Sequence, residues 1–142
     1  VMEQVLIVDG HSAIFAWPDL LALHRQSTSR ARSELVSMLT RYRDATAWHV
    51  VVVFDGKGKQ TDRQGGGDDD ILVVYSRAGE TADTVIERMV ARKAGEMRIT
   101  VASNDRLELE TVAAFGADCI GMKTLREMLD DQDSEQRRKW KY

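Results

Sequence analysis

Cysteine is almost missing from this chain: the only one is Cys119, in the apolar stretch Ala117-Asp118-Cys119-Ile120-Gly121-Met122. No disulfide framework can form within the chain, and a reducing compartment is the expected setting. The Cys/His spacing of a zinc site is also lacking. No apolar run reaches the roughly 18 residues of a membrane span. The N-terminus has no charged segment leading into a signal core. The expectation is a soluble cytoplasmic protein, or an organellar stromal one if a transit peptide has been removed. Positive charge is not in excess, since 20 Lys and Arg stand against 23 Asp and Glu for a net charge of −3. That balance argues against strong nonspecific binding to nucleic acid, which depends on neutralising phosphates. The first turn lacks Gly-x-Gly-x-x-Gly, which disfavours a dinucleotide-binding domain.

What the chain does have is enough apolar material for one core: 142 residues, 43% hydrophobic. Strand and helix signals alternate, as in a parallel sheet covered on both faces. The expected strands are Gln4 to Val8, Val50 to Phe54, Ile71 to Tyr75, Arg98 to Ala102 and a short one at Asp118 to Met122. Helices are expected around Trp17 to Gln26, from Ser27–Ser29 to about Thr46, from Thr81 to about Gly95, and from Asp105 to Gly116. The Asp105 helix should bury Leu107, Leu109, Val112 and Phe115, and Thr124 with Glu127 reads as the capping box of a last helix. The fold class is therefore α/β, a three-layer α/β/α domain over residues 1–131 with a central, mainly parallel sheet of about five strands.

Four acids stand at strand ends or open the following helix: Asp9, Asp55, Asp83 and Asp105. Strand ends of an open α/β sheet converge on one crevice, so these carboxylates are expected to meet. Crowded carboxylates raise one another's pKa or recruit a cation, and an all-oxygen set suits Mg²⁺ or Mn²⁺. Each acid also has a plainer reading. Asp9-Gly10 and Asp55-Gly56 are good turn dipeptides, while Glu80, Asp83 and Asp105 suit the positive end of a helix dipole. All four falling by accident at one end of a sheet is the weaker account. Glu80 and Glu108 are reserve acids near the crevice.

Two segments break the alternation. Lys57 to Asp70 is a run of about 14 residues with no apolar side chain, longer than the usual α/β loop. It reads as a mobile solvated insertion or as a lid whose Lys57 and Lys59 touch RNA phosphates. Residues 132–142 read as a flexible charged tail, with an RNA grip through Trp140 or Tyr142 as the sharper alternative. Trp17 reads as a packing residue that could border a substrate groove, and Arg32 belongs to a basic helix face that is by default solvated.

The segments VLIVDGHSAIFAWPDL, WHVVVVFDGKG, GETAD, ITVASND and TLREML, in that order and spacing, together resemble a YacP-like NYN domain, a member of the PIN-like nuclease superfamily. The likeness runs from about Val5 to Leu129. It implies a metal-dependent endoribonuclease, with mRNA on the translating ribosome as the associated substrate. The resemblance assigns the catalytic acids to Asp9, Asp55, Asp83 and Asp105. Of these, Asp9, Asp83 and Asp105 are the expected metal ligands, and Asp55 an outer or second-metal ligand. The family often has Asp-Gly-Tyr-Asn where this chain has Asp9-Gly10-His11-Ser12; Ser12 keeps a hydroxyl for water, phosphate or a ligating carboxylate. Ser12, His11 and Ser103 are the expected substrate-side residues, with Lys57 and Lys59. Such a site would use a divalent ion to lower the pKa of bound water and offset charge on the leaving oxygen. Two other readings stay open: a noncatalytic RNA or ribosome adaptor, and a metal-dependent phosphatase or receiver-like domain. The second lacks the second Asp expected soon after Asp9.

Overall fold

Successive side chains of a strand point to opposite faces of the sheet, and in the computed structural model both faces are buried. The structure describes residues 2–67 and 70–141. Asp68, Asp69 and Tyr142, part of the insertion's acidic end and the tail's last aromatic, lie outside the described residues, as does Val1. In strand β1 (Gln4–Asp9), Leu6 and Val8 join Val50, Val52 and Phe54 of β2 (His49–Phe54) on one face. Val5 and Ile7 join Val51 and Val53 on the other. The first face is covered by α1 (Gly10–Ala16), α2 (Pro18–Gln26), α3 (Thr28–Ala45) and α6 (Met122–Lys139). The second is covered by α4 (Ala82–Lys93) and α5 (Arg106–Ala114). Arg126 clamps α6 to α2 by paired hydrogen bonds to Asp19 at 3.0 and 2.9 Å, and its guanidinium lies over the Trp17 ring. That pairing holds the Asp19 carboxyl below its usual pKa. Trp17 itself is buried, its Nε1 donating to the Met122 carbonyl, so it is a packing residue.

The remaining strands are β3 (Asp62–Gly65), β4 (Leu72–Tyr75), β5 (Arg98–Ala102) and β6 (Asp118–Ile120), in the sheet order β3-β4-β2-β1-β5-β6. All neighbours are parallel except β3, which runs antiparallel to β4. From β1 the chain builds outward through β2 to β4, then crosses by α4 to β5 on the other flank of β1. The crevice beyond the ends of β1 and β5 is thus the switch point where α/β sheets place ligands. Among the described residues, no helix is long and apolar enough to cross a membrane.

The expected central, mainly parallel sheet is present, with six strands among the described residues because the insertion also contains β3; its exposed DRQG segment has no apolar alternation to reveal it, and it pairs with β4. Three local expectations are corrected. The turn expected after Asp9 is helix α1, which starts at Gly10 with Asp9 as its cap. The Thr124–Glu127 capping box does not open the last helix. Helix α6 starts at Met122, and Asn104 Oδ1 accepts the Met122 N–H at 2.9 Å. That helix also runs on to Lys139, so residues 132–139 of the expected flexible tail are helical.

Candidate metal centre

The β1–β5 register aligns Val8 with Ala102, so the next residues of the two strands, Asp9 and Ser103, come side by side. Both are buried. Ser103 Oγ lies 3.1 Å from Asp9 Oδ2 and 3.0 Å from Glu108 Oε2. With a single hydroxyl proton it donates to one of these carboxylates at a time, while accepting the Asp105 N–H. Ser12 completes the frame. Its Oγ is 2.9 Å from Asp9 Oδ2 and accepts the Asn104 N–H, tying α1 to the loop after β5.

Three elements deliver the acids. Asp9 ends β1, Asp83 lies in the first turn of α4 and Glu108 in the first turn of α5. One carboxylate oxygen from each of these residues lies within 4.8 Å of the others. The Glu108 carboxyl is pushed up to about 9, foremost by burial, then by the facing Asp83 carboxyl and the charges of Asp9 and Asp83; Ser103 partly offsets this. Asp83 is also raised, foremost by burial and also by the nearby Asp105 and Asp9, while the facing Glu108 carboxyl opposes them. Glu108 Oε1 is buried without a hydrogen-bond partner. A hard divalent cation fits this set: three convergent oxygen donors, one of them an orphaned lone-pair site, with excess negative charge.

Of the residues expected at the site, the structure brings Asp9, Asp83, Ser12 and Ser103 together. Asp105 sits on the exposed rim as N-cap of α5, its Oδ1 accepting the N–H groups of Leu107 and Glu108 at 3.0 and 3.3 Å. It stands outside the three-oxygen group but charges its neighbourhood enough to raise Asp83. Asp55 is exposed and also outside the group; its Oδ1 accepts the Ala82 N–H at 2.9 Å and fixes the start of α4, one residue before Asp83. Lys57 and Lys59 are exposed in the loop after Asp55-Gly56. His11 is exposed on α1 and stacks on Phe15 at 4.3 Å. Glu80 is taken up by Arg88 and Arg77, which hold its carboxyl below the usual range.

Glu108 is the residue the sequence reading undervalued. The expected buried stripe of α5 holds in part: Val112 is buried and Leu109 packs against the core, but Leu107 is 75% and Phe115 47% exposed, and Glu108, one turn before Val112, points inward instead. Reading Asp105 as the cap, with Glu108 on the Val112 face, was the available signal.

A family model described as the YacP-like NYN domain matches residues 6–142. The "Uncharacterized protein YacP" of Bacillus subtilis (strain 168) is 34% identical over 142 residues, covering 95% of this chain and 78% of the relative. The crystal structure of Rae1 (YacP) from Bacillus subtilis superposes with a TM-score of 0.79 at 29% identity, covering 95% of this chain and 78% of that one. A tryptophan-to-leucine mutant of the same protein gives 0.81 at 27% identity, over 94% and 79%.

Proposed function

The chain belongs to the YacP-like NYN domain family, within the PIN-like nuclease superfamily, and from that premise we propose that it is a divalent-metal-dependent endoribonuclease. Its substrate in this reading is mRNA presented by the translating ribosome. The observation that carries the reading is the buried trio Asp9, Asp83 and Glu108 at the switch point of the sheet. Asp9, Asp83 and Glu108 would hold Mg²⁺ or Mn²⁺. The cation, when bound, supplies an activated water and offsets charge on the scissile phosphodiester.

The chain's own residues prepare the site. Ser12 and Ser103 fix the rotamers of Asp9 and Glu108 through the hydroxyl frame, as groups behind metal ligands do. Asp55 anchors the first turn of α4 and so orients Asp83. Asp105 adds negative charge at the rim and starts α5 where Glu108 can turn inward. The partner's role follows from charge. At a net −3 the domain has little general attraction for RNA, and a ribosome that presents the strand removes that need.

The test is cleavage of RNA by the purified protein with Mn²⁺ or Mg²⁺, against Asp83→Asn and Glu108→Gln, each checked for native circular dichroism. Both variants should lose cleavage together with Mn²⁺ binding by titration calorimetry. Wild-type rates in both would overturn the reading. The noncatalytic adaptor reading remains the alternative only if the wild type binds RNA and cuts none, free or ribosome-bound.

A further inference from the structure

We infer that Asn104 is a positioning residue for two of the cation's ligands, Asp9 through helix α1 and Glu108 through the cap of α5, and does not itself touch the ion. The inference rests on the metal-centre reading, but its observations lie outside the acidic trio. Asn104 is exposed, between Ser103 and Asp105 in the loop that follows β5. Its backbone and its side chain hold different elements. The backbone N–H donates to Ser12 Oγ at 3.2 Å, and Oδ1 accepts the Met122 N–H at 2.9 Å. A backbone N–H can only donate, so the amide oxygen must be the atom that faces Met122.

These two bonds close a circuit around α1. Ser12 lies in the first turn of that helix and Trp17 is its C-cap. Trp17 Nε1 donates to the carbonyl of Met122, the same residue whose N–H Asn104 accepts. Both ends of α1 are therefore tied to the loop after β5, directly through Ser12 and by way of Met122 through Trp17. The tie at Ser12 also sets a proton. With one lone pair taken by the Asn104 N–H, the single Ser12 hydroxyl proton is left to point at Asp9 Oδ2, 2.9 Å away. On the other side of Asn104, Asp105 accepts the Leu107 and Glu108 N–H groups, so the loop that Asn104 fixes also decides where α5 begins and Glu108 turns inward. Helix α6 needs this contact as well: its N-cap, Gly121, has no side chain to offer, and the acceptor comes from Asn104, 18 residues earlier. Groups that orient metal ligands are worth about tenfold to a hundredfold in affinity. Asn104 acts through one more residue, which places it at the low end.

The test is titration calorimetry with Mn²⁺ on wild type, Asn104→Ala, Asn104→Asp and Leu129→Val, each with native circular dichroism. Leu129 is buried on α6 about two turns beyond Met122, so shortening it loosens the helix without reaching the loop. Asn104→Ala should weaken Mn²⁺ binding about tenfold. Asn104→Asp keeps an oxygen for the Met122 N–H and should bind Mn²⁺ at least as tightly as wild type. Leu129→Val should lower the urea midpoint and leave the affinity unchanged. Should Asn104→Ala not fold, Asn104→Gln, which moves the amide oxygen one methylene outward, should show the same loss. Wild-type affinity in Asn104→Ala, no recovery in Asn104→Asp, or an equal loss in Leu129→Val overturns the inference and leaves Asn104 a cap for α6 alone. Cleavage separates the two readings. If Glu108→Gln abolishes Mn²⁺ binding and cutting while Asn104→Ala keeps wild-type affinity, only the positioning role fails. If Mn²⁺ affinity follows Asn104 as stated but no RNA is cut, only the nuclease reading fails.

Discussion

The same dipeptide ends two neighbouring strands and meets two different fates. Asp9-Gly10 closes β1 and Asp55-Gly56 follows β2, one strand over. Asp9 is 4% exposed, capped into α1 and part of the metal-competent trio. Asp55 is exposed and uses its carboxylate to hold a backbone N–H of α4. Both glycines are required by close approach, since neither has positive φ. A Cβ on Gly10 would lie 2.3 Å from Phe54 Cε1, and one on Gly56 would lie 2.2 Å from the Ser76 carbonyl oxygen. The motif therefore does not assign the role; the strand's neighbours do. β1 has β5 beside it, bringing Ser103 and, through α5, Glu108, whereas β2 has β4, bringing Ser76 and the start of α4.

That contrast is most exposed to test in catalysis. Asp9→Asn should reduce cleavage to background. Asp55→Asn keeps an oxygen for the Ala82 N–H and should cost no more than about tenfold to a hundredfold, the range for groups that orient ligands rather than bind the ion. Rates in Mn²⁺ for both folded variants decide it, and equal losses would place Asp55 on the cation rather than behind Asp83.

The second contrast is in pH. Glu108 faces Asp9, Asp83 and Ser103 with Asp105 at the rim. Its folded pKa, about 9, lies above the ordinary 4.5. The folded state thus binds the extra proton, and the stability it confers is full below the unfolded pKa and lost as pH rises toward the folded one. In EDTA, the unfolding free energy from urea titration should fall between about pH 4.5 and 9, by at most about 1.4 kcal/mol per pH unit for one proton. Glu108→Gln should flatten that slope. A wild-type midpoint that rises with pH through this window would mean that Glu108 is ionised in the metal-free fold.

These contrasts also mark how much was readable in the residues alone. The apolar run at Val50–Phe54 signals a buried parallel strand because burial on both faces leaves no polar alternation, and Ile99, Val101 and Ala102 mark a second one beside β1. The helix caps at Ser27 and Thr81 are local chemistry and read directly. What did not read directly depends on partners distant in sequence. β3 is an exposed polar strand held by β4, and α6 takes its first hydrogen-bond acceptor from Asn104 rather than from Thr124. Glu108 read only as a reserve acid near the crevice because helical spacing was anchored on Leu107, whose side chain is exposed once Asp105 caps the helix and turns the next face inward.

The two glycines permit a finer comparison. Gly10→Ala and Gly56→Ala should each destabilise by about 1–3 kcal/mol, the range for a methyl forced into packed space. Gly56→Ala should cost more because its obstacle is a backbone oxygen, whereas Gly10 meets the edge of a ring. Cation affinity separates them in the opposite direction. Moving the start of α1 displaces Asp9, so Gly10→Ala should weaken Mn²⁺ binding while Gly56→Ala leaves it near wild type. Urea midpoints and calorimetry on the same samples give both readings.

The smallest effect is the most diagnostic, because the sign differs between the two acids. Asp55→Ala removes the acceptor of an α4 N–H without relieving any buried charge, so it should lower the metal-free unfolding free energy by about 0.5–2 kcal/mol, and the midpoint with it, as loss of a helix cap does. Asp9→Asn removes one negative charge from a buried group that already raises its neighbours' pKa values, while asparagine still caps α1. It should therefore raise the metal-free midpoint even as it ends cation binding, the trade expected where a site holds like charges together for a ligand. Mn²⁺ should then stabilise the wild type and Asp55→Ala but leave Asp9→Asn unmoved. A metal-free Asp9→Asn protein less stable than wild type would show that the serine frame, not the cation, neutralises the crevice.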